Sequence, residues 1–416
     1  MKLVERHIIT KNKSEWKHID KLCFMSKNLY NYSLYLIKQE FEKTGKFLYY
    51  NPLEKKLRSE KHETYISLSN NTSQQILLIL DHNFRSFFQS LKRWKKDKTK
   101  FKGCPKSPKY KHKTKGRNLL VFTSQQLGKK DDGFIYFPKK SRLKPLKTKV
   151  NRNNIKQVRI VPQTSCYVIE VIYEKEVKKH ENLNKNLYLS IDLGVNNLVS
   201  IISNQPGLRP ILINGRIIKS VNQYYNKKKA KLQSNLENNH KRKWSKRLNS
   251  LNLKRNNKIE YYLHHTSKFI VEYCIKNNIG NVIIGKNYFW KQKVRIGNIN
   301  NQNFVQIPFD KLIHYIQYKS ELNGIKVKII NENYTSKCSA LDLEEIKKHD
   351  NYIGQRIKRG LFKSSNSLIN SDVNAALNIL RKEIGNDFLN ESLFNRGCVL
   401  QPVKINSLQR KQLKTI

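Results

Sequence analysis

Three carboxylates stand where a folded chain would not place them without a reason. Asp192 interrupts the apolar run LYLSIDLGVNNLVSI, residues 187–201. Glu332 closes IKVKIINE, and Asp372 directly precedes the helical pattern VNAALNIL. An isolated buried carboxylate costs several kcal/mol unless a cation or hydrogen-bond donors receive it. Carboxylates gathered at one place repel one another and stay charged together only around cations. Magnesium prefers such hard oxygens and leaves positions open for water and phosphate. The chemistry this set could do is therefore metal-assisted phosphodiester hydrolysis, with paired ions serving the attacking and leaving oxygens. Taken singly, each acid has a plainer reading. Asp192 could face water at a strand end, Glu332 could be a solvent acid before a turn, and Asp372 could merely cap its helix.

Elements that could bring the three together are legible around them. LVSIISN and PILING follow the Asp192 segment as antiparallel partners. Residues 221–278 read as two long helices. The second is amphipathic, with Ile259, Tyr262, Leu263, Thr266, Phe269, Ile270, Tyr273 and Cys274 on one face, and it stops at Asn278 and Gly280. NVIIG, DKLIHYIQYKSELNG and IKVKIINE then alternate strand, helix, strand, the pattern of parallel strands covered by helices. In such sheets sites form at the carboxyl ends of the strands.

The charge of the chain says what would come to that site. Lys and Arg number 82 against 31 Asp and Glu in 416 residues, a formal charge of +51. This excess points to a polyanion as partner, and the interleaved aromatics (21 Tyr, 17 Phe, 4 Trp) point to nucleic acid. A genome biased toward Lys, Asn and Ile codons would explain the lysines but not the scarcity of acids. No apolar run reaches membrane-spanning length, the N-terminus has no apolar signal core, and the six cysteines are scattered without a CxxC pair. The expected compartment is the reducing cytoplasm, close to nucleoid DNA.

The N-terminal half reads as a strand (MKLVERHIIT), a helical block to about residue 95, and short strands over 118–175 (NLLVFTS, GFIYFP, QVRIVP, CYVIEVIYE). The last alternates as a half-buried strand should, and a small barrel or sandwich fits the set. Between helices and strands lies KRWKKDKTKFKGCPKSPKYKHKTKGR, residues 92–117, read as an irregular backbone-gripping loop. Lys92, Arg93, Trp94, Lys95 and Lys96 open it, with Phe101 and Tyr110 also available to stack on bases.

SIDLGVNNLVSI, SKFIVEYCIKNNIGNVIIG, YTSKC and INSDVNAALNIL, in this order, resemble the TnpB (OrfB) family of transposon-encoded RNA-guided DNA endonucleases, relatives of type V CRISPR effectors. The resemblance is specific over about 185–382 and weaker before it. It implies an α/β plus β-barrel plus α-helical chain. An RNase H-like (RuvC) nuclease domain would occupy 181–332 and 366–416. An N-terminal wedge β-barrel, 1–12 and 96–180, would be interrupted by a helical recognition lobe, 13–95. It implies a transposon-derived guide RNA, a double-stranded DNA target with a short flanking motif, and Mg2+ or Mn2+. Asp192 and Asp372 match the first and last RuvC acids.

Two departures from the family pattern follow. Where the family usually ends a strand with its second catalytic glutamate, this chain has Gly285, followed by Lys286 and Asn287. The neighbouring strand would run about 5 Å away, close enough for Glu332 to reach across a gap that glycine leaves open. The expected metal and catalytic set is thus Asp192, Glu332 and Asp372. The rival is a nuclease-dead, guided DNA-binding protein acting as a repressor. The second departure concerns zinc. The family's CxxC pairs are reduced to Cys338 in YTSKCSALD, with Leu341 at the next thiol position, so no zinc is expected. Residues 333–365 would be a metal-free lid with Arg356, Lys358 and Arg359 toward nucleic acid. Lys227, Lys228, Lys229, Lys241, Arg242, Lys246 and Arg247 would form a second phosphate-gripping face. A transposase in the strict sense lacks support, since no His-hydrophobic-His motif with a tyrosine nucleophile is present.

Overall fold

The computed structural model describes residues 1–178, 180–287, 297–389 and 396–408. The end of the expected nuclease domain, 409–416, lies outside them. The chain forms two compact units, 1–175 and 176–416.

In the first unit, β1 (Lys2–Thr10) is followed by α1 (Trp16–Thr44), α2 (Tyr50–Ser59), α3 (Glu63–Ile66) and α4 (Asn70–Lys96). Strands β2 (Leu120–Thr123), β3 (Phe134–Ile135), β4 (Leu146–Lys147), β5 (Ile155–Pro162) and β6 (Cys166–Glu174) complete it. β1 pairs antiparallel with β6 along its whole length, from Lys2↔Glu174 to Thr10↔Cys166. The helical block is thus inserted between strands of one sheet. That sheet is open, ordered β1-β6-β5-β2, with β3-β4 a separate ribbon; among the described residues the ladders do not close a barrel. Two expectations need correction. β6 is buried on both faces over Cys166–Ile172: Tyr167, Ile169 and Val171 enter the core, and on the other face Glu170 is covered by Arg6 and Arg159 of the two flanking strands. Lys92, Arg93, Trp94, Lys95 and Lys96 are the last turns of α4, not loop. The glycines and prolines that break the segment begin only at Gly103, and basic residues suit a helix C-terminus.

The second unit opens with β7 (Asn184–Leu193), β8 (Asn197–Ser203) and β9 (Ile211–Asn214). Then come α5 (Arg216–His240), α6 (Lys246–Lys276), β10 (Ile279–Gly285), α7 (Asn298–Val305), α8 (Phe309–Glu321) and β11 (Lys326–Ile330). A small antiparallel sheet, β12 (Gln355–Lys358), β13 (Leu361–Lys363) and β14 (Leu368–Asn370), leads into α9 (Ser371–Ile384), α10 (Arg396–Leu400) and β15 (Val403–Ile405).

The main sheet runs β11-β10-β7-β8-β9-β15. β8 runs antiparallel to both β7 and β9, while β10 and β11 run parallel to β7. Three strands of alternating direction are thus extended on the β7 side by two parallel crossover strands and on the β9 side by β15, which runs parallel to β9, giving a mixed sheet between helices. Alternation assigns the faces. Leu189, Ile191 and Leu193 pack with Ile259, Leu263 and Ile270 of α6 and Leu312 and Ile316 of α8. Ile202, Leu212 and Ile283 pack against Val373, Ala376, Leu377 and Leu380 of α9 on the opposite face. No helix among the described residues is long and apolar enough to cross a membrane.

Candidate nuclease site

Asp192 is the penultimate residue of β7, and side-chain alternation with Ile191 and Leu193 turns it to the α9 face. Register sets its neighbour. Ile191 pairs with Ile284, so Asp192 lies level with Gly285 at the end of β10. Gly285 pairs in turn with Ile330, the last residue of β11. Glu332 is therefore in the loop just past the strand rather than on its end. Its side chain folds back over β10: Oε2 lies 2.9 Å from where a Cβ on Gly285 would be. The space a side chain at 285 would start from is shared by the tip of Glu332 and by Ile379, whose Cδ1 lies 2.4 Å from that point.

Asp372 arrives from α9. The structure decides its role against helix capping, since Asn370 is the N-cap and its side chain accepts from the Asp372 and Val373 amides. The Asp372 carboxylate instead accepts a hydrogen bond from Asn197 Nδ2 at 2.7 Å and stands 3.7 Å from the guanidinium of Arg356. α9 is seated by its apolar face and by Ser190, whose hydroxyl donates to the Ala376 carbonyl at 2.7 Å. Asn197 and Arg356 are site residues of a kind that sequence reasoning could not pair with Asp372. Asn197 lies in the quoted VNN stretch, but nothing local marks its partner.

Electrostatics tie the acids into one site. The Asp192 carboxyl sits well above the usual carboxylate range, first because of desolvation, then because of the charges of Asp372 and Glu332, with Arg356 pulling the other way. Glu332 is pushed up to about 7 by burial, against a hydrogen bond from the Asn287 backbone. Its Oε2 is buried without a hydrogen-bond partner. As the side chains lie, no three His, Cys, Asp or Glu among the described residues form a closed ligand cluster. The donor set nonetheless suits a hard divalent cation: three carboxylates converge, Glu332 carries a buried, unpartnered oxygen, and Asp192 feels the charges of the other two.

The remaining predicted residues fall in separate places. Lys92, Arg93, Lys95 and Lys96 are exposed on α4, and Lys98 stands 5.2 Å over the ring of Trp94. Lys227, Lys228 and Lys229 lie on α5, Lys241 and Arg242 in the following turn, Lys246 and Arg247 at the start of α6. Lys358 and Arg359 are exposed at the β12–β13 turn, whereas Arg356 one strand position away faces the acids. Residues 335–353 are held on α9 by a polar clamp. Glu344 accepts from the Ser339 and Ile353 amides at 2.6 and 3.0 Å. Asn374 and Asn378 donate to the Cys338 carbonyl, and Arg381 donates to the carbonyls of Ser339 and Glu344.

Comparison with known proteins now bears on the whole. Residues 168–291 match the OrfB_IS605 family, described as "Probable transposase", and 309–379 match the Cas12f1-like TNB domain. The resemblance to the TnpB (OrfB) family holds. This TnpB-like chain is 24% identical over 201 residues to a TnpB-like protein of Methanocaldococcus jannaschii, covering 47% of this chain and 68% of that one. It is 28% identical over 236 residues to the CRISPR-associated endodeoxyribonuclease Cas12f2 of a Micrarchaeota archaeon. That match takes in 53% of the TnpB-like chain but only 41% of the relative. Among solved structures, it is similar to a protein of the Cas12f1-sgRNA-target DNA complex, at 16% identity and TM-score 0.49, over 87% of this chain and 81% of that one.

Proposed function

We propose that this chain is an RNA-guided DNA endonuclease whose second RuvC acid has moved from position 285 to Glu332. The observation that carries the reading is the Glu332 carboxylate lying over Gly285, level with Asp192, with one oxygen buried and unpartnered. Asp192, Glu332 and Asp372 would hold Mg2+ or Mn2+, which supplies charge neutralisation and an activated water at neutral pH. Asn197 fixes one Asp372 oxygen, leaving the other to face Arg356 and the site. The 1–175 unit would act as wedge and helical lobe around a transposon-derived guide RNA, and 333–365 as the lid. Base pairing would read the target, while the protein reads backbone shape and a flanking motif.

The second reading, a guided binder without cleavage, is favoured by Gly285 and by the absence of a closed cluster among the described residues. One experiment separates them. The protein is copurified with RNA from its own locus, and the complex is challenged with matching duplex DNA and Mg2+ or Mn2+. The nuclease reading expects cleavage by wild type and only a small residual rate from Glu332→Ala. Cleavage unchanged in that variant removes Glu332 from the site, and guided binding without any cut by wild type establishes the repressor.

A further inference from the structure

The α5–α6 hairpin carries a groove of about 790 Å3 that the acids do not share. Val221, Leu232 and Leu251 contribute its apolar surface, and its cations are Lys228, Lys231, Arg247, Lys254, Arg255 and Lys258. No Asp or Glu lines it. Among the described residues, its five cations other than Arg255 have no carboxylate partner within ion-pair reach. Such a set of like charges is held together at a cost unless an anion binds. The start of α6 sharpens the point: Lys246 and Arg247 occupy a first turn without any acid, the reverse of what the helix dipole favours.

The groove is built as well as charged. Arg255 is fixed by Asn222 Oδ1 at 2.8 Å and the Gln306 carbonyl at 3.2 Å, and its guanidinium lies 5.1 Å over the Tyr225 ring. Asn222 is buried, and its Nδ2 has no hydrogen-bond partner. Tyr224 is 60% exposed at the edge, with the Lys228 ammonium 5.9 Å from its ring centre. An arginine held in place, lysines without carboxylate partners and an open aromatic face are the parts that grip phosphates and stack a base. The volume suits a ligand of small-molecule dimensions, hence a short piece of single strand and not a duplex.

α6 packs on the sheet face carrying Ile191 and Leu193, whereas Asp192 and Gly285 open toward α9 on the other. A segment seated in the groove is therefore on the other side of the sheet from the acids. Ser220, Asn235 and Ser250 also line it, and hydroxyl and amide groups there can exchange hydrogen bonds with a ribose 2′-OH. We propose that the α5–α6 groove is a binding-only site for single-stranded RNA, which clasps its phosphates with Lys254, Lys258 and Arg255 and stacks a base on Tyr224. The proposal rests on the guided-nuclease reading for the source of that RNA.

The test uses the full chain, washed free of nucleic acid, with a short iodouridine-bearing single-stranded RNA, the matching single-stranded DNA and an RNA duplex. Photocrosslinking is expected on Tyr224. The double variant Lys254→Ala/Lys258→Ala is expected to melt like wild type and to flatten the salt dependence of RNA affinity by about 1.4 log units per log unit, two phosphate contacts at about 0.7 each. Wild-type RNA binding with crosslinks confined outside 216–258 and an unchanged slope overturns the groove while leaving the guided nuclease intact. Equal crosslinking by DNA, or capture of the duplex at Tyr224, overturns the assignment to single-stranded RNA. A wild type that binds no RNA at all overturns the guided reading itself, and this proposal with it.

Discussion

Adding one methyl group at position 285 tests the relocated acid from the side that has no charge. In Gly285→Ala the new Cβ would stand 2.4 Å from Ile379 Cδ1, 3.0 Å from Ile379 Cγ1 and 2.9 Å from Glu332 Oε2. Ile379 is fully buried among Ile283, Ala376 and Leu380, so its room to retreat is small. Ile379 must still shift its Cδ1 to relieve the 2.4 Å contact, and Glu332, in a loop, is displaced as well. Overpacking of this kind costs about 1–3 kcal/mol of stability. A carboxylate displaced by about 1 Å at a reacting centre costs about 100-fold in rate. The expected result is a protein that still folds and binds guide and target but cleaves about 100-fold more slowly at saturating Mg2+. Initial cleavage rates and urea unfolding of the same preparations measure the two effects separately. The cycle with Glu332→Ala completes the test: in that background Gly285→Ala should cost stability but change the residual rate no further, because the coupling passes through the absent carboxylate. A Gly285→Ala enzyme with wild-type cleavage, or one losing the same factor in both backgrounds, refutes the arrangement.

Four further outcomes follow from the same site and its lid. The Glu332 carboxyl is raised from 4.5 to about 7 in the fold, so the unfolded chain gives up that proton first. Its contribution to stability is complete below about pH 4.5 and is lost as pH rises through about 7. Urea unfolding in chelator should show this slope in wild type but not in Glu332→Gln, and the Mg2+ concentration for half-maximal cleavage should fall as pH rises through 7. In the lid, Glu344→Gln replaces a buried carboxylate acceptor of two amides with a group that also brings two donors, and about 1–3 kcal/mol of stability should be lost. A zinc-selective chelator with Mg2+ kept in excess should leave the melting of wild type unchanged, and a melting temperature that falls under those conditions would show that zinc, not the polar clamp, holds residues 335–353.

The sequence by itself determined the elements and which end of the sheet carries acids. Helical spacing announced α6 and α8, short apolar runs announced β7, β10 and β11, and crossover alternation implied that the ends of β7, β10 and β11 lie side by side. Two residues of that reading, a missing side chain at 285 and a spare acid at 332, could be joined because strand pairing is regular, with fixed spacing and register. What only the tertiary structure decided was contact between segments that no period relates. Asp372 is freed from capping because Asn370 does that work, two residues earlier. Arg356 meets Asp372 because the β12–β13–β14 sheet returns beside α9, and Asn197 meets it because α9 crosses β8. The six cations of the α5–α6 groove are scattered along 31 positions of sequence, from 228 to 258, and become one site only when two helices fold against each other. Periodicity reports which face of an element is apolar. It carries no information on which polar side chains two packed faces will bring within a few ångströms, because that depends on crossing angles and loop paths set by the whole core.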